Sequence, residues 1–288
     1  MDKIRVMVNG IPGNVAVNIA KHILKDNRLK LIPFSMTGPE IIESKYDIDG
    51  YSIDLLKPDV RNDKIKKIID DEKLFISVDY THPSAVNKNA EFYCRHNLPF
   101  VMGTTGGDRQ LLENTVKESS ISAVIAPNMA KQIVGFQAML EWCADKFPGI
   151  FSEYSLEIRE SHQKGKADTS GTAKAMAKSF VKMGINFSEN DIIQERDPKI
   201  QKTEWNIPEE YLKGHGYHTY TLISEDKTVK FSFTHNVNGR DVYARGTIDA
   251  ILFLFNKTAV QLQGKVYTMM DVLKKGELLI TQAIRSQD

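Results

Sequence analysis

The sequence predicts an α/β protein of two domains: a parallel sheet with helices on both faces, then an α+β domain with a mixed or antiparallel sheet. Three observations predict this. Over the first half, short apolar strand-like runs alternate with helical ones. A glycine-spaced turn joins the first strand to the first helix. After about Asn128 the alternation stops, and strand-rich runs follow one another without helices between them. Alternation requires crossover connections, which cover both faces of a parallel sheet; consecutive strand runs are joined by hairpins instead.

Residues 3–10 (KIRVMVNG) form a β-rich run ending in a turn, and 14–26 (NVAVNIAKHILKD) read as a helix. A second strand is expected over 29–36 (LKLIPFSM), a helix over 63–72 (DKIKKIIDDE) and a third, buried strand over 74–80 (LFISVDY). Helix 84–97, strand 99–105, helix 108–119 and strand 122–127 continue the pattern. A long helix over 132–147 leads into YSLEIRESH (154–162), where every second residue is apolar, the period of a half-buried strand. Residues 185–215, with Pro198, Pro208, Gly214 and no strong period, read as a loop-rich excursion. Strand-rich runs are expected at 217–225, 227–237 and 241–255, with Asp226 and Lys227 making a tight hairpin between the first two. From 249 onward, DAILFLFNKTAV and TMMDVLKKGELL read as helical and are expected to return to the first domain.

Bulk properties narrow the function classes. Hydrophobic residues are 41% and charged residues 26% of the 288, the profile of a globular protein. Lys plus Arg is 38 and Asp plus Glu 37, a net charge of +1, so neither nucleic acid nor an anionic membrane is expected as partner. No apolar run is long enough to span a bilayer. The first strand begins within a few residues of Met1, so no signal or transit peptide is expected. Two cysteines, Cys94 and Cys143, make no disulfide framework and fit a reducing, cytoplasmic setting.

The stretch VNGIPGNVA places Gly10, Gly13 and Ala16 at G-x-x-G-x-x-A spacing, after a strand and at a helix start. Glycines there let the backbone approach a pyrophosphate, and the helix N-terminus offers unpaired N–H groups. With Ile11, Pro12, Asn14 and Val15 in the same turn, the first domain reads as Rossmann-like and dinucleotide-binding. The end of the second strand reads the ribose. An NAD-selective site usually has Asp or Glu there; here stand Phe34, Ser35, Met36, Thr37 and Gly38, and the nearest downstream cation is Lys45. Ser35 and Thr37 can donate to a 2′-phosphate, so NADPH is the expected cofactor, with NADH left open as a second. Two more strand ends, GTTG with Gly103, Thr104 and Thr105, and APNM with Ala126, Pro127, Asn128 and Met129, are suited to the ribose and the nicotinamide amide.

The densest chemistry lies in ESHQKGKADTSGTAKAMAK, residues 160–178. The strand delivers His162 at its end, and Lys164 and Lys166 follow across Gly165. Thr169 or Ser170 can then cap a helix whose apolar face is Ala173, Met176, Ala177, Phe180 and Met183. Gly171 and Thr172 fall in its first turn, where backbone N–H groups point outward. An imidazole, ammonium groups and a helix entrance together suit a carboxylate ligand with a proton donor beside it. Asp168 either orients Lys166 or favours the helix N-terminus. No metal-ligating set is read.

At this point the chain resembles the 4-hydroxy-tetrahydrodipicolinate reductase (dihydrodipicolinate reductase) family. VNGIPG, DYTHPSAV, PFVMGTTGGD, APNMAKQ, ESHQKGKADTSGTAKA, RDP, HNVNGRDVYARGTIDA and MMDVLKKG carry the resemblance over nearly the whole chain. It is closest to the plant-type branch. Gln163 stands where the bacterial branch has a second histidine, and the proline before Ser-Gly-Thr is absent. The resemblance implies reduction of 4-hydroxy-tetrahydrodipicolinate to tetrahydrodipicolinate in lysine and diaminopimelate biosynthesis. It implies His162 as the catalytic histidine and Lys166 as proton donor. Gly171 and Thr172 would bind a substrate carboxylate, with Ser170 and Gln163 nearby. It also implies a nucleotide domain of residues 1–129 completed by helices from about 249–288, a substrate and oligomerisation domain of 130–248, and a homodimer or homotetramer.

Other readings stay open. A non-catalytic NAD(P)H sensor explains the glycine turn but not His162 with Lys166. A semialdehyde dehydrogenase needs a nucleophilic cysteine, and Cys94 and Cys143 both fall in helix-like runs. A reductase of a related cyclic imine dicarboxylate would carry the same residues.

Overall fold

A computed structural model of the chain describes residues 2–258 and 264–274. The chain forms two compact units, Met1–Lys131 with Asp241–Asp288, and Gln132–Arg240. In chain order the first unit begins with β1 (Ile4–Asn9), α1 (Asn14–Lys25), β2 (Leu29–Leu31), β3 (Phe34–Met36), β4 (Lys45–Ile48), β5 (Tyr51–Leu56) and α2 (Arg61–Glu72). It continues through β6 (Ile76–Asp79), α3 (Val86–Arg95), β7 (Phe100–Met102), α4 (Arg109–Lys117) and β8 (Ala123–Ile125). α5 (Lys131–Lys146) leads into the second unit, which holds β9 (Tyr154–His162), α6 (Gly171–Lys182), β10 (Ile193–Glu195), α7 (Pro198–Thr203), β11 (His215–Ser224) and β12 (Lys230–Asn238). α8 (Asp241–Thr258) and β13 (Val266–Tyr267) belong again to the first.

The first unit is built on a parallel six-stranded sheet in the order β13-β8-β7-β6-β1-β2. All of β6, β7 and β8 is buried because both faces of the sheet are covered; β7 and β8 are apolar throughout, while β6 also carries the buried Ser77 and Asp79. α1 turns Ala16, Ile19, Ala20 and Ile23 inward, the i, i+3, i+4, i+7 stripe of a helix with one buried face. Strand order reverses at β1, with β2 on one side and β6 on the other. Crevices for ligands open at the carboxyl ends of strands at such a point.

The expected strand over 29–36 is in fact two. Pro33 has no N–H to give a ladder and separates β2, which pairs with β1, from β3, which pairs with β5 in a small three-stranded sheet. That sheet includes a hairpin not anticipated above. Asp49 and Gly50 take φ of 53° and 88°, the two positive angles of a tight hairpin turn, and join β4 to β5.

The second unit carries a mixed four-stranded sheet, β10-β9-β11-β12, with β10 parallel to β9 and the other pairs antiparallel. Its core is Phe180, Met176, Ala173 and Met183 from the α6 region against Ile158, Tyr220 and Leu222 of the sheet. The excursion at 185–215 is more ordered than expected, since it supplies β10 and α7.

The strand expectation over 241–255 is wrong for this segment. Residues from Asp241 are one helix, and the unit boundary falls at Arg240 rather than at 248. Ala244, Thr247, Ile248, Ile251 and Leu254 are all buried, and only a narrow stripe of Asp241, Arg245, Asp249 and Asn256 marks the helical period within a largely apolar, β-branched run. Gly246 lies against the Met129 carbonyl, where no β-carbon would fit. The helical reading of 249–260 holds as far as Thr258; residues 259–263 and 275–288 lie outside the described residues, and 269–274 are helical. Among the described residues no helix is long and apolar enough to cross a membrane.

Candidate active site

β1 delivers Gly10 at a φ of 105°, which glycine adopts without steric cost. A β-carbon there would press on the Tyr80 carbonyl, and one on Gly13 would lie 2.8 Å from the Gly10 carbonyl oxygen. The turn is tied to β3: Gly10 N donates to the Met36 carbonyl at 2.8 Å, and Met36 N donates to Asn9 Oδ1 at 2.9 Å. Ile11 is fully buried, and Asn14 and Val15 open α1 behind Gly13. Above the turn lies a cavity of about 790 Å³ lined by Gly10, Pro12, Gly13, Thr37, Glu40 and Arg61, among others. Its size and glycine-lined floor fit a dinucleotide.

Not every expected cofactor residue faces this cavity. Ser35 is fully buried, and its hydroxyl accepts from Ile11 N at 3.2 Å; it braces the turn instead of reaching a ribose phosphate. Lys45 pairs with Asp54 on the neighbouring strand. Gly103, Thr104 and Thr105 follow β7, and Ala126, Pro127, Asn128 and Met129 follow β8; neither segment lines the cavity. Thr104 Oγ1 donates to Asp79 Oδ1 at 2.8 Å, and Asn128 Oδ1 accepts from Ala130 N at 2.9 Å. Asp79 is a fully buried carboxylate that makes no ion pair among the described residues. Thr81, Asn89, Tyr93 and Thr104 donate to it at 2.7–3.0 Å, which replaces its hydration. Burial and that carboxylate hold the Tyr93 hydroxyl well above its ordinary range.

In the second unit β9 ends at His162, opposite Gly216 of β11. A β-carbon on Gly216 would lie 3.3 Å from His162 Nε2, so glycine leaves the ring its room. Beyond the strand a turn closes through Lys166 N and the Gln163 carbonyl at 3.0 Å. Lys166 Nζ bonds Asp168 Oδ1 at 2.7 Å, so Asp168 orients the lysine, and the ammonium beside it lowers the Asp168 carboxyl. Ser170 is the N-cap of α6 but makes no side-chain cap bond; Thr169 Oγ1 accepts from Gln194 instead. Gly171 opens the helix with open space where a β-carbon would stand.

Beneath these residues lies Glu160, fully buried and not singled out from sequence. It accepts from Arg196 Nη2 at 2.6 Å and from Ser170 N at 3.0 Å. His162 Nδ1 and His218 Nε2 each stand 3.7 Å from its oxygens, longer than a hydrogen bond. Burial alone would raise the Glu160 carboxyl; His162 and Arg196 beside it, with the Ser170 N–H, outweigh burial and hold it at about 2. Glu160, His162 and His218 offer ligand atoms within 4.8 Å of one another, but Arg196 already provides the carboxylate's cation. Arg196 Nε also donates to the Lys166 carbonyl at 2.9 Å, and Gln201 donates to that of His162 at 2.8 Å. One buried carboxylate and one arginine thus set the strand end, the lysine turn and the helix start together.

A glycine turn on the first strand of a parallel sheet, with a cluster of histidine, lysine and buried carboxylate on a separate mixed sheet, is the plan of a nucleotide-dependent oxidoreductase. Residues 4–129 match the N-terminal part of dihydrodipicolinate reductase and residues 133–273 its C-terminal part; the chain belongs to that family and is a reductase. It is 46% identical over 273 residues to probable 4-hydroxy-tetrahydrodipicolinate reductase 1, chloroplastic, of Oryza sativa subsp. japonica, covering 95% of this chain and 79% of that protein. It is 43% identical over 275 residues to 4-hydroxy-tetrahydrodipicolinate reductase 1, chloroplastic, of Arabidopsis thaliana, covering 96% and 79%. A dipicolinate-bound dihydrodipicolinate reductase from Paenisporosarcina sp. TG-14 shares the fold, with a TM-score of 0.64 at 17% identity over 93% of this chain and 98% of that one.

These relatives correct the expected cytoplasmic setting. The similar rice and Arabidopsis proteins are chloroplastic by name. Free cysteines and balanced charge fit any reducing compartment, so composition does not separate a plastid from the cytosol.

Proposed function

We propose that the protein reduces 4-hydroxy-tetrahydrodipicolinate to tetrahydrodipicolinate, with NADPH as preferred cofactor and NADH as a second one. The observation that carries this reading is the buried Glu160–Arg196 pair, which brings His162, Lys166 and the start of α6 to one place. The cavity over Gly10, Gly13 and Thr37 would hold the cofactor, which supplies a hydride when bound. Gly171 and Thr172, with Ser170, Gln163 and the nearby ammonium groups, would hold a substrate carboxylate by charge-assisted hydrogen bonds. Lys166 would give its proton to the ring as negative charge builds there, with its turn held by Arg196 and its ammonium held by Asp168. His162 stands beside Glu160 and assists in holding the substrate or the developing charge. Assembly through the second unit into a homodimer or homotetramer is part of the same proposal.

Initial rates with the imine precursor and either cofactor test it. Loss of reduced-cofactor absorbance, faster with NADPH, is expected. A panel of related cyclic imine dicarboxylates ranks the substrate, and a faster member of that panel would replace the one named. Cofactor binding without turnover of any member would leave a sensor.

A further inference from the structure

The cavity above the glycine turn is lined by two opposite charges that the strand-end pattern does not reveal, Glu40 and Arg61. Because β3 and β5 are parallel neighbours, the segments leaving their carboxyl ends run side by side; Thr37 N donates to the Leu56 carbonyl at 3.0 Å. Glu40 comes from the first segment, and Arg61 closes the second. With a pyrophosphate on the glycine turn, the ribose of the adenosine half reaches a strand end about 20 residues further on, which is this side of the cavity.

Arg61 is held ready there. Its Nη1 donates to Asn89 Oδ1 at 2.9 Å, and its guanidinium carbon lies 4.8 Å from the centre of the Phe92 ring. Asn89 is itself fixed, because its amide nitrogen donates to Asp79 Oδ2 and Thr81 Oγ1, both at 3.0 Å. Its oxygen is thereby turned to the arginine. Among the described residues the arginines that pair with carboxylates are Arg5, Arg28, Arg109 and Arg196; Arg61 is not one of them. A guanidinium has five N–H donors in a planar fork that matches a phosphate. Glu40 is exposed, and its carboxylate folds back over Gly38. It accepts a hydroxyl well and repels a phosphate.

We propose that Arg61 determines cofactor specificity by binding the 2′-phosphate of NADPH, and that Glu40 opposes it by accepting from the 2′-hydroxyl of NADH. The inference rests on the cofactor reading above and assigns the discrimination to two residues outside the glycine turn. Ser35, which is turned inward, takes no part in it.

Equilibrium titration of NADPH and NADH, without substrate, tests the pair in wild type, Arg61→Ala, Arg61→Lys and Glu40→Gln. Arg61→Ala is expected to weaken NADPH by about 10- to 100-fold, the worth of a hydrogen bond between charged groups, and NADH by less than about threefold. Arg61→Lys keeps the charge but loses the planar fork, so it should retain only part of the NADPH preference, between wild type and Arg61→Ala. Glu40→Gln should weaken NADH and tighten NADPH. AMP with and without a 2′-phosphate should reproduce the Arg61→Ala contrast. An equal loss of both cofactors in Arg61→Ala would overturn the assignment, because it would mean that Arg61 serves only to hold Asn89. An unchanged ratio would overturn it too, with the cofactor reading intact. If the wild type binds neither cofactor, that reading falls and takes this proposal with it.

Discussion

Glu160 is the residue on which the second unit's site depends. It carries a full charge in a fully buried position, and Arg196, 17% exposed at its side chain, neutralises it at 2.6 Å. Glu160→Gln keeps the shape and removes the charge. Breaking a buried pair by neutralising one member costs about 3–5 kcal/mol; the exposure of Arg196 places this variant at the lower end, measurable by urea unfolding. Lys166→Ala should cut kcat by roughly 10²–10⁴, the usual worth of a positioned acid, while cofactor affinity is retained. Near-full activity in both Lys166→Ala and His162→Ala would refute the assignment of the proton donor. His162, Lys166, Gly10 and Gly13 are singled out in the sequence because their residue types carry the proposed chemistry, and they lie at the end of β9, in the turn after it and in the turn after β1. Glu160, Arg196 and Gln201 are not singled out. Arg196 meets Glu160 only because β10 pairs with β9 in the register Gln194↔Glu160, and linear spacing does not report register.

At the scale of elements, α6 links packing to binding. Its buried face holds Phe180, 0% exposed, against Tyr220 and Phe233 at ring separations of 6.0 and 6.2 Å. Phe180→Ala should cost about 3–5 kcal/mol of stability and lower the yield of folded protein. The other end of the helix bears on function. Because Ser170 makes no side-chain cap bond, the first-turn N–H groups depend on other partners. Thr172→Val should weaken pyridine-2,6-dicarboxylate, a planar analogue without the reducible imine, by about 1–3 kcal/mol. Calorimetry that finds equal affinity for wild type and variant would remove Thr172 from the carboxylate seat. The alternation of the first half, the hairpin at Asp226 and Lys227, and the span of β9 were legible, because each has a period or a turn residue of its own. Two features were not. α8 is buried on most sides, and its narrow polar stripe of Asp241, Arg245, Asp249 and Asn256 is outweighed by the apolar run around it. The split of 29–36 rests on which sheet each half joins, a tertiary fact; the Asp49–Gly50 turn, by contrast, has a signal in the sequence, since Asp-Gly is a hairpin dipeptide.

At the scale of the whole molecule, the buried histidines make the second unit the acid-sensitive one. His218, 4% exposed, stacks on His235 at 4.6 Å and meets His162 edge-on at 5.0 Å. Burial, then the neighbouring imidazoles, pushes His218 well below its ordinary value; Glu160 pulls the other way and is outweighed. Burial and His162 bring His235 down to about 4, and burial lowers His215. In the unfolded chain all three titrate near 6.5. The unfolded state therefore binds more protons than the folded one below that pH. The stability is fully present above pH 6.5 and falls as the pH drops toward 4, by at most about 1.4 kcal/mol per pH unit for each histidine. Glu160 adds a second loss lower down, between its unfolded value of 4.5 and about 2. Both tryptophans, Trp142 and Trp205, lie in Gln132–Arg240, so their fluorescence reports this unit alone. The urea midpoint followed by tryptophan should fall between pH 7 and pH 5, equivalent to roughly 1–3 kcal/mol. His235→Gln can still bond the Tyr220 hydroxyl, which His235 Nε2 meets at 3.2 Å, but it has no proton to gain. Its midpoint should change less over the same interval. A wild-type midpoint that is flat from pH 7 to 5, or a variant that is as steep as wild type, would show that these imidazoles do not set the acid response.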